Sequence, residues 1–344
     1  MPVFIPHAGC PHRCAFCNQN ATTGQSGSLP TKSQILQAVT EFLAHRRDPT
    51  RWTEISFYGG NFLGLRPEQI QMLLATVAPF VRQGTVNGLR FSTRPDTIDT
   101  NRLALIAPFP VTTIEIGVQS MNDQVLQQSQ RGHDSQDTQR AMALLKTKSY
   151  VVGIQLMIGL PGDTHTTALA TARHVASLAP DFVRIYPTLV LRGSLLARWY
   201  AQGRYEPLHL DEAVQLTAEL YQIFSRNEIP VIRMGLQAAE ELSPQADLVA
   251  GPHHPAFGEL VRSALWMDTI QRHLAREGLI EGEVLLDVNP RVLSQIKGQK
   301  DDNIMALIDR CQLRALEIRT NADIDDQTVV INGKPCRRDM DIEA

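Results

Sequence analysis

Short stretches rich in β-branched and aromatic residues alternate along this chain with longer ones whose apolar positions recur every three to four residues. The first kind predicts strands over 2–6, 53–58, 88–93, 111–119, 150–159, 181–186 and 229–236. The second predicts helices. In 31–47, Ile35, Val39, Phe42 and Leu43 fall on one face, behind Pro30-Thr31 as a start signal. In 67–83, Pro67 suits the first turn, and Ile70, Leu73, Leu74, Val77, Phe80 and Val81 make an apolar stripe. Repeated strand–helix alternation implies parallel βα units with right-handed crossovers. The expected fold class is therefore α/β, a partial (β/α)6-type barrel whose ligands gather at the C-terminal ends of the strands.

Proline and glycine cluster in "LSPQADLVAGPHHP", residues 242–255, and mark a boundary. The expected organisation is a barrel over 1–240, a linker and helix over 241–282, and a small α+β domain over 283–344. The pattern in the last domain predicts a strand at 283–290, a short helix at 291–296, a loop at 297–303, a second helix, and strands near 313–320 and 327–332.

Within 111–119, "VTTIEIGVQ", successive side chains point to opposite faces. Ile114, Ile116 and Val118 share one face, which must pack under helices. Thr113, Glu115, Gly117 and Gln119 share the other, which faces the barrel interior. A charge there is costly unless it is paired or holds a ligand. Two readings of Glu115 stand: a buried ion pair with Arg94 or Arg184, or recognition of a bound molecule. By the same alternation Arg184 and Tyr186 point together, as do Gln155 and Met157, and the Arg184 fork suits a carboxylate. Arg233 faces the same way as Gly235 and Gln237 and is the candidate for substrate contact.

Composition adds little. An apolar content of 43% is ordinary for a globular protein. The 33 basic and 36 acidic side chains nearly balance, and the densest basic stretch, "HRRDPTRW" at 45–52, reads as a solvated helix end. No apolar run is long enough to span a bilayer. "MPVFIPHAGC" lacks the basic region and apolar run of an export signal, so a reducing cytoplasmic location is expected.

Cysteine placement changes the picture. Cys10, Cys14 and Cys17 read C-x3-C-x2-C, and the others are Cys311 and Cys336. An odd count in a chain of 344 residues does not fit a disulfide framework. Structural zinc wants four ligands, usually in two separated pairs, and no second C-x2-C or H-x3-H follows, although His7 and His12 lie nearby. A non-catalytic zinc-stabilised binding module is thus a rival reading. A [4Fe–4S] cluster normally takes four cysteines; given three, one iron stays open. Cys311 shares a stripe with Ile304, Leu307 and Ile308 and reads as core, while Cys336 in "GKPCRRD" is expected to be exposed.

With Phe16 before the last cysteine and "VFIP" just upstream, the loop resembles that of the radical S-adenosylmethionine superfamily. The resemblance implies a [4Fe–4S] cluster on Cys10, Cys14 and Cys17. Its open iron would chelate the amino and carboxylate groups of S-adenosylmethionine, whose reductive cleavage yields a 5′-deoxyadenosyl radical. It further implies cofactor contacts from Gly59, Gly60 and Asn61 at the end of the second strand, and from Glu115, Gln119 and Arg184 at later strand ends. Many members carry an acidic residue at the position of Asn61. A low-potential donor such as a flavodoxin or ferredoxin would supply the electron.

"FSTRPDTID", "IEIGVQSMNDQVL", "RGHD", "GLPGDT" and "VRIYPTLVLRGSLLARWYAQGRY" resemble the Elongator catalytic subunit branch over roughly residues 1–210. That branch points to RNA, with tRNA as a partner. "GVQS" and "GLPG" are also similar to oxygen-independent coproporphyrinogen oxidase, which makes a small-molecule metabolite the alternative substrate. No acetyl-coenzyme A motif occurs in 241–344, so the resemblance implies the radical core and not acetyl transfer. The last domain resembles a KH domain, whose G-x-x-G loop meets nucleic-acid phosphates. Here Gly298 stands at the first glycine, Asp301 at the second, and Lys297 and Lys300 flank them.

Overall fold

The computed structural model describes residues 1–19, 29–236, 247–279 and 282–338. In chain order the strands are β1 Pro2–Phe4, β2 Glu54–Tyr58, β3 Gly88–Thr93, β4 Val111–Gln119, β5 Val151–Ile158, β6 Phe182–Pro187, β7 Val190–Leu191, β8 Val231–Met234, β9 Leu248–Ala250, β10 Glu283–Val288, β11 Ala315–Thr320, β12 Thr328–Ile331 and β13 Lys334–Arg337. Seven of them form one parallel sheet in the order β1-β2-β3-β4-β5-β6-β8, open between its two edge strands. Helices Pro67–Arg82, Thr100–Ile106, Ser135–Leu145, His165–Ser177 and Leu210–Arg226 connect successive strands. All strand neighbours lie parallel because each connection is long enough to carry the chain back to the same end of the sheet.

Register places the functional strand ends side by side. Phe57 faces Phe91, Glu115 faces Gly153, and Arg184 faces both Gln155 and Arg233. Ile114, Ile116 and Val118 are fully buried on one face of β4, and Glu115 is buried on the other. A parallel strand covered on both sides has no wet face, so β4 keeps its charge only by pairing it. Between Gly117 and Gln119 the register shifts, and Gln119 takes a left-handed φ of 71°. Simple alternation therefore ends one residue before the strand does. Behind the sheet, Phe57, Phe62 and Phe91 stack with ring centroids 5.1 and 4.4 Å apart.

Two compact units emerge. The first comprises Met1–His209 with Ile229–His253, and the second comprises Leu210–Glu228 with His254–Ala344. Helix Leu210–Arg226 thus associates with helix Phe257–Arg276 of the second unit, although it lies inside the 1–240 span read as barrel. Within the second unit, Trp266, Ile270 and Leu274 pack with Val284, Leu286, Ile296, Leu307 and Ile331. Its sheet runs β11-β10-β12-β13, with β10 parallel to β11 and antiparallel to β12. Helices Leu293–Lys297 and Asp302–Arg310 flank Gly298.

Three expectations are corrected. Cys336 is fully buried, not exposed, because an additional strand, β13, pairs with β12 and sets Cys336 opposite Val329 in the core. Phe42 stands 37% exposed, so the apolar face of helix Lys32–Ala44 is the narrower Ile35–Val39 stripe. Ile308 is also 37% exposed, whereas Leu307 and Cys311 enter the core.

Candidate functional site

The chain leaving β1 is laced to the chain leaving β2. Ile5 N donates to Tyr58 O at 2.8 Å, His7 N to Gly59 O at 2.9 Å and Asn61 N to Ala8 O at 2.8 Å. A Cβ on Gly60 would sit 2.5 Å from the carbonyl oxygens of both Ile5 and Ala8, so a residue without a side chain is required for the two segments to meet. Asn61 completes the join. Its Nδ2 donates to Gly9 O at 3.0 Å, while its Oδ1 accepts from Thr93 Oγ1 at 2.7 Å and Arg94 N at 3.0 Å. The Asn61 side chain is fully buried and committed to protein partners, so it braces the cysteine loop against β2 and β3 instead of facing a ligand.

On this braced loop Cys14 is buried, Cys10 and Cys17 are partly exposed, and all three thiols are free. Cys10 N donates to His7 O at 3.2 Å, and Cys17 N donates to Cys14 O at 3.0 Å. Burial first, and then the neighbouring Cys14, raises the pKa of Cys10. Burial followed by Cys14 and Cys10 pushes the Cys17 thiol up to about 12. A metal bound by these thiols would have to displace their protons. His7 Nε2 accepts from Gln19 N at 3.0 Å, and His12 Nε2 bonds the Arg131 carbonyl at 3.0 Å. Among the described residues no three His, Cys, Asp or Glu side chains come together tightly enough to hold a single metal ion. The donor set of three cysteine sulfurs, without a second ligand pair, fits a cluster with an open iron better than tetrahedral zinc.

Inside the sheet lies a charged network. Glu115 accepts from Tyr58 OH at 2.8 Å and pairs with Arg90 and Arg184, each at 3.1 Å. Arg90 also reaches Glu54 at 2.8 Å. Of the two partners weighed for Glu115, Arg184 is the one present. Arg94 is engaged with Asp96 at 2.9 Å. Burial opposes the Arg184 charge, yet Glu115, Tyr186 and Tyr58 more than offset it and keep the guanidinium protonated.

A cavity of about 650 Å³ opens beside this network. Gly59, Arg184, Arg233, Tyr58, Gln155 and Tyr186 line it, and Phe16, Cys17 and Asn18 bring the cysteine loop to its wall. Gly60, Asn61, Glu115 and Gln119 stand behind that surface. Gln155 Nε2 donates to Gln119 Oε1 at 3.4 Å, and Gln155 itself lines the cavity together with Met157. In the sequence Arg131 stands out only as the first residue of a short string, with no role attached to it. It donates to Cys14 Sγ at 3.2 Å, and its "RGHD" string was the available signal.

In the second unit the loop after Gly298 is internally satisfied: Lys297 pairs with Asp301 at 3.2 Å, and Asn303 Nδ2 reaches the Ser263 carbonyl at 3.1 Å. A Cβ on Gly298 would meet Asn303 at 3.0 Å. Lys297 is paired with Asp301, and Asp302 balances Lys300 in the count, so the loop lacks the net positive charge that phosphate contacts rely on. The Lys297→Glu, Lys300→Glu double variant is expected to leave tRNA affinity in low salt within about twofold of the parent, where loss of two phosphate contacts would change both affinity and salt slope. Filter binding across a salt series decides this, and a steep loss would make the loop an RNA surface.

Comparison with known proteins agrees with this geometry. The Radical SAM superfamily model matches residues 4–175, and the Radical_SAM C-terminal domain matches 180–267. The chain is 30% identical over 231 residues to the tRNA uridine(34) acetyltransferase of Dehalococcoides mccartyi, covering 58% of this chain and 50% of that protein. It is 25% identical over 233 residues to Protein YhcC of Escherichia coli, covering 62% and 72%. The structure of archaeal Methanocaldococcus infernus Elp3 with an N-terminal deletion superposes with a TM-score of 0.54 at 25% identity, over 72% of this chain and 58% of that one. The chain thus spans about half the length of the acetyltransferase it matches. With its three-cysteine loop, its open parallel sheet and a family model spanning 4–175, the chain belongs to the radical SAM superfamily, enzymes that work with a [4Fe–4S] cluster and S-adenosylmethionine.

Proposed function

We propose that this enzyme generates a substrate radical on tRNA, with Cys10, Cys14 and Cys17 holding the cluster and the cavity beside them holding S-adenosylmethionine. When bound, the two cofactors supply the electron and the 5′-deoxyadenosyl radical that abstracts hydrogen. The protein's own residues orient and enclose. Gly59 presents backbone at the cavity wall, where the absence of a side chain lets a ligand amino group approach. Arg184 offers a guanidinium held in place by Glu115 and Tyr58, a rigid donor for a carboxylate. Glu115 acts through Arg184 and Tyr58 as a positioning group. Arg233 lies next to Arg184 in register and lines the same cavity, which suits it to substrate contact.

The observation that carries the substrate reading is the 231-residue match to a tRNA uridine(34) acetyltransferase, which covers 58% of this chain. Acetyl transfer itself is not proposed. Mass spectrometry of nucleosides from tRNA of cells with and without the gene is expected to show one modified nucleoside lost and its precursor accumulated. An unchanged profile would move the substrate to a small metabolite. A flavodoxin or ferredoxin is proposed as the electron donor. Among the described residues no helix is long and apolar enough to cross a membrane.

A further inference from the structure

Arg131 follows the helix Asp123–Gln128, and its N–H donates to Leu126 O at 2.9 Å. Its side chain turns back under the cysteine loop. Nη1 donates to Cys14 Sγ at 3.2 Å, Nη2 donates to Gly117 O at 2.5 Å, and the guanidinium lies 6.0 Å from the Phe16 ring centre. The same segment holds the loop by its backbone. Ala15 N donates to Ser129 O at 3.0 Å, and His12 rests on the Arg131 carbonyl at 3.0 Å. Gly132 makes room for that histidine, since a Cβ there would lie 2.2 Å from His12 Cε1.

The contrast with the buried and half-buried arginines elsewhere in this unit is informative. Arg90 has Glu54 and Glu115, Arg94 has Asp96, and Arg184 has Glu115. Arg131 is 6% exposed, forms no ion pair with a carboxylate among the described residues, and leaves its Nε without a hydrogen-bond partner. A buried cation without a counter-charge is costly. The group it touches that can become an anion is the Cys14 sulfur, which is neutral as a thiol and negative once it ligates iron.

We infer that Arg131 is the built-in counter-charge of the iron–sulfur centre, pairing with the Cys14 thiolate and setting the centre's reduction potential. The inference rests on the reading that Cys10, Cys14 and Cys17 hold the cluster. Reduction adds negative charge to the centre, and a fixed cation donating to one of its sulfurs favours that state. Arg131 therefore makes the centre easier to reduce and, in the cluster-free protein, is a destabilising residue. It is a positioning and tuning residue, not one that touches substrate.

Two variants separate this role from simple bracing of the loop. Redox titration of the reconstituted protein, followed by electron paramagnetic resonance, is expected to show a more negative midpoint for Arg131→Met and a near-parental one for Arg131→Lys. Thermal unfolding of the cluster-free protein should show Arg131→Met melting higher than the parent. A midpoint unchanged in Arg131→Met, or a cluster-free Arg131→Met protein that melts lower, would overturn the inference. If Arg131→Met takes up no iron, a higher melting point of that cluster-free variant supports the counter-charge and a lower one refutes it. Failure of the ligand reading itself shows separately, as full iron uptake by Cys14→Ala.

Discussion

Cys14→Ala is expected to leave the anaerobically reconstituted protein without its iron–sulfur absorbance and to cut dithionite-driven 5′-deoxyadenosine formation to below about one hundredth of the parent. Removing a hydrogen-bond partner outside the ligand shell of a metal site already costs 10–100-fold, and Cys14 is proposed here as a ligand. It is the buried member of the three and the one that meets Arg131. Cys311→Ala is the control. Cys311 is buried in the core of the second unit with Leu307 and Cys336, and its loss should leave iron and labile sulfide unchanged. Full iron and full activity in Cys14→Ala would refute the assignment. One zinc per chain without labile sulfide in the parent would favour the zinc-stabilised module.

The second large effect concerns stability. Glu115→Ala is expected to cost about 3–5 kcal/mol, because removing one partner of a buried ion pair leaves the other charge uncompensated. Glu115 is almost fully buried and serves Tyr58, Arg90 and Arg184 together. Arg90 retains Glu54 in the variant, so the stranded charge is that of Arg184. A Glu115→Ala, Arg184→Met double variant should therefore recover part of the loss, which urea unfolding of the single and double variants would read as a coupling energy. A single-variant cost below about 1 kcal/mol, the range of exposed pairs, would mean that water reaches the network.

Several features follow from the sequence alone because their causes are local. Alternation and β-branched content place the seven strands of the main sheet to within a few residues, since a strand's period and its bounding turns are properties of the strand itself. The three-cysteine spacing is equally local: it puts three thiols on one loop whatever surrounds them. The faces of β4 also follow, up to the point where the register shift at Gly117 and Gln119 breaks the period.

Tertiary structure decided which groups meet. Glu115 has Arg184 as a partner because β4 and β6 flank β5, an adjacency no spacing along the chain encodes. Asn61 stands where the superfamily pattern suggests a ligand contact, yet Gly9, Thr93 and Arg94 converge on it from two segments and use up its amide. Cys336 lies in a polar string that reads as exposed, but one hydrogen-bonded strand partner turns it into the core. Arg131 reaches Cys14 across 117 positions, visible beforehand only as part of a short string. Local sequence sets backbone period and thiol spacing, whereas the partner of a buried charge is set by strand order and by the cost of leaving that charge alone.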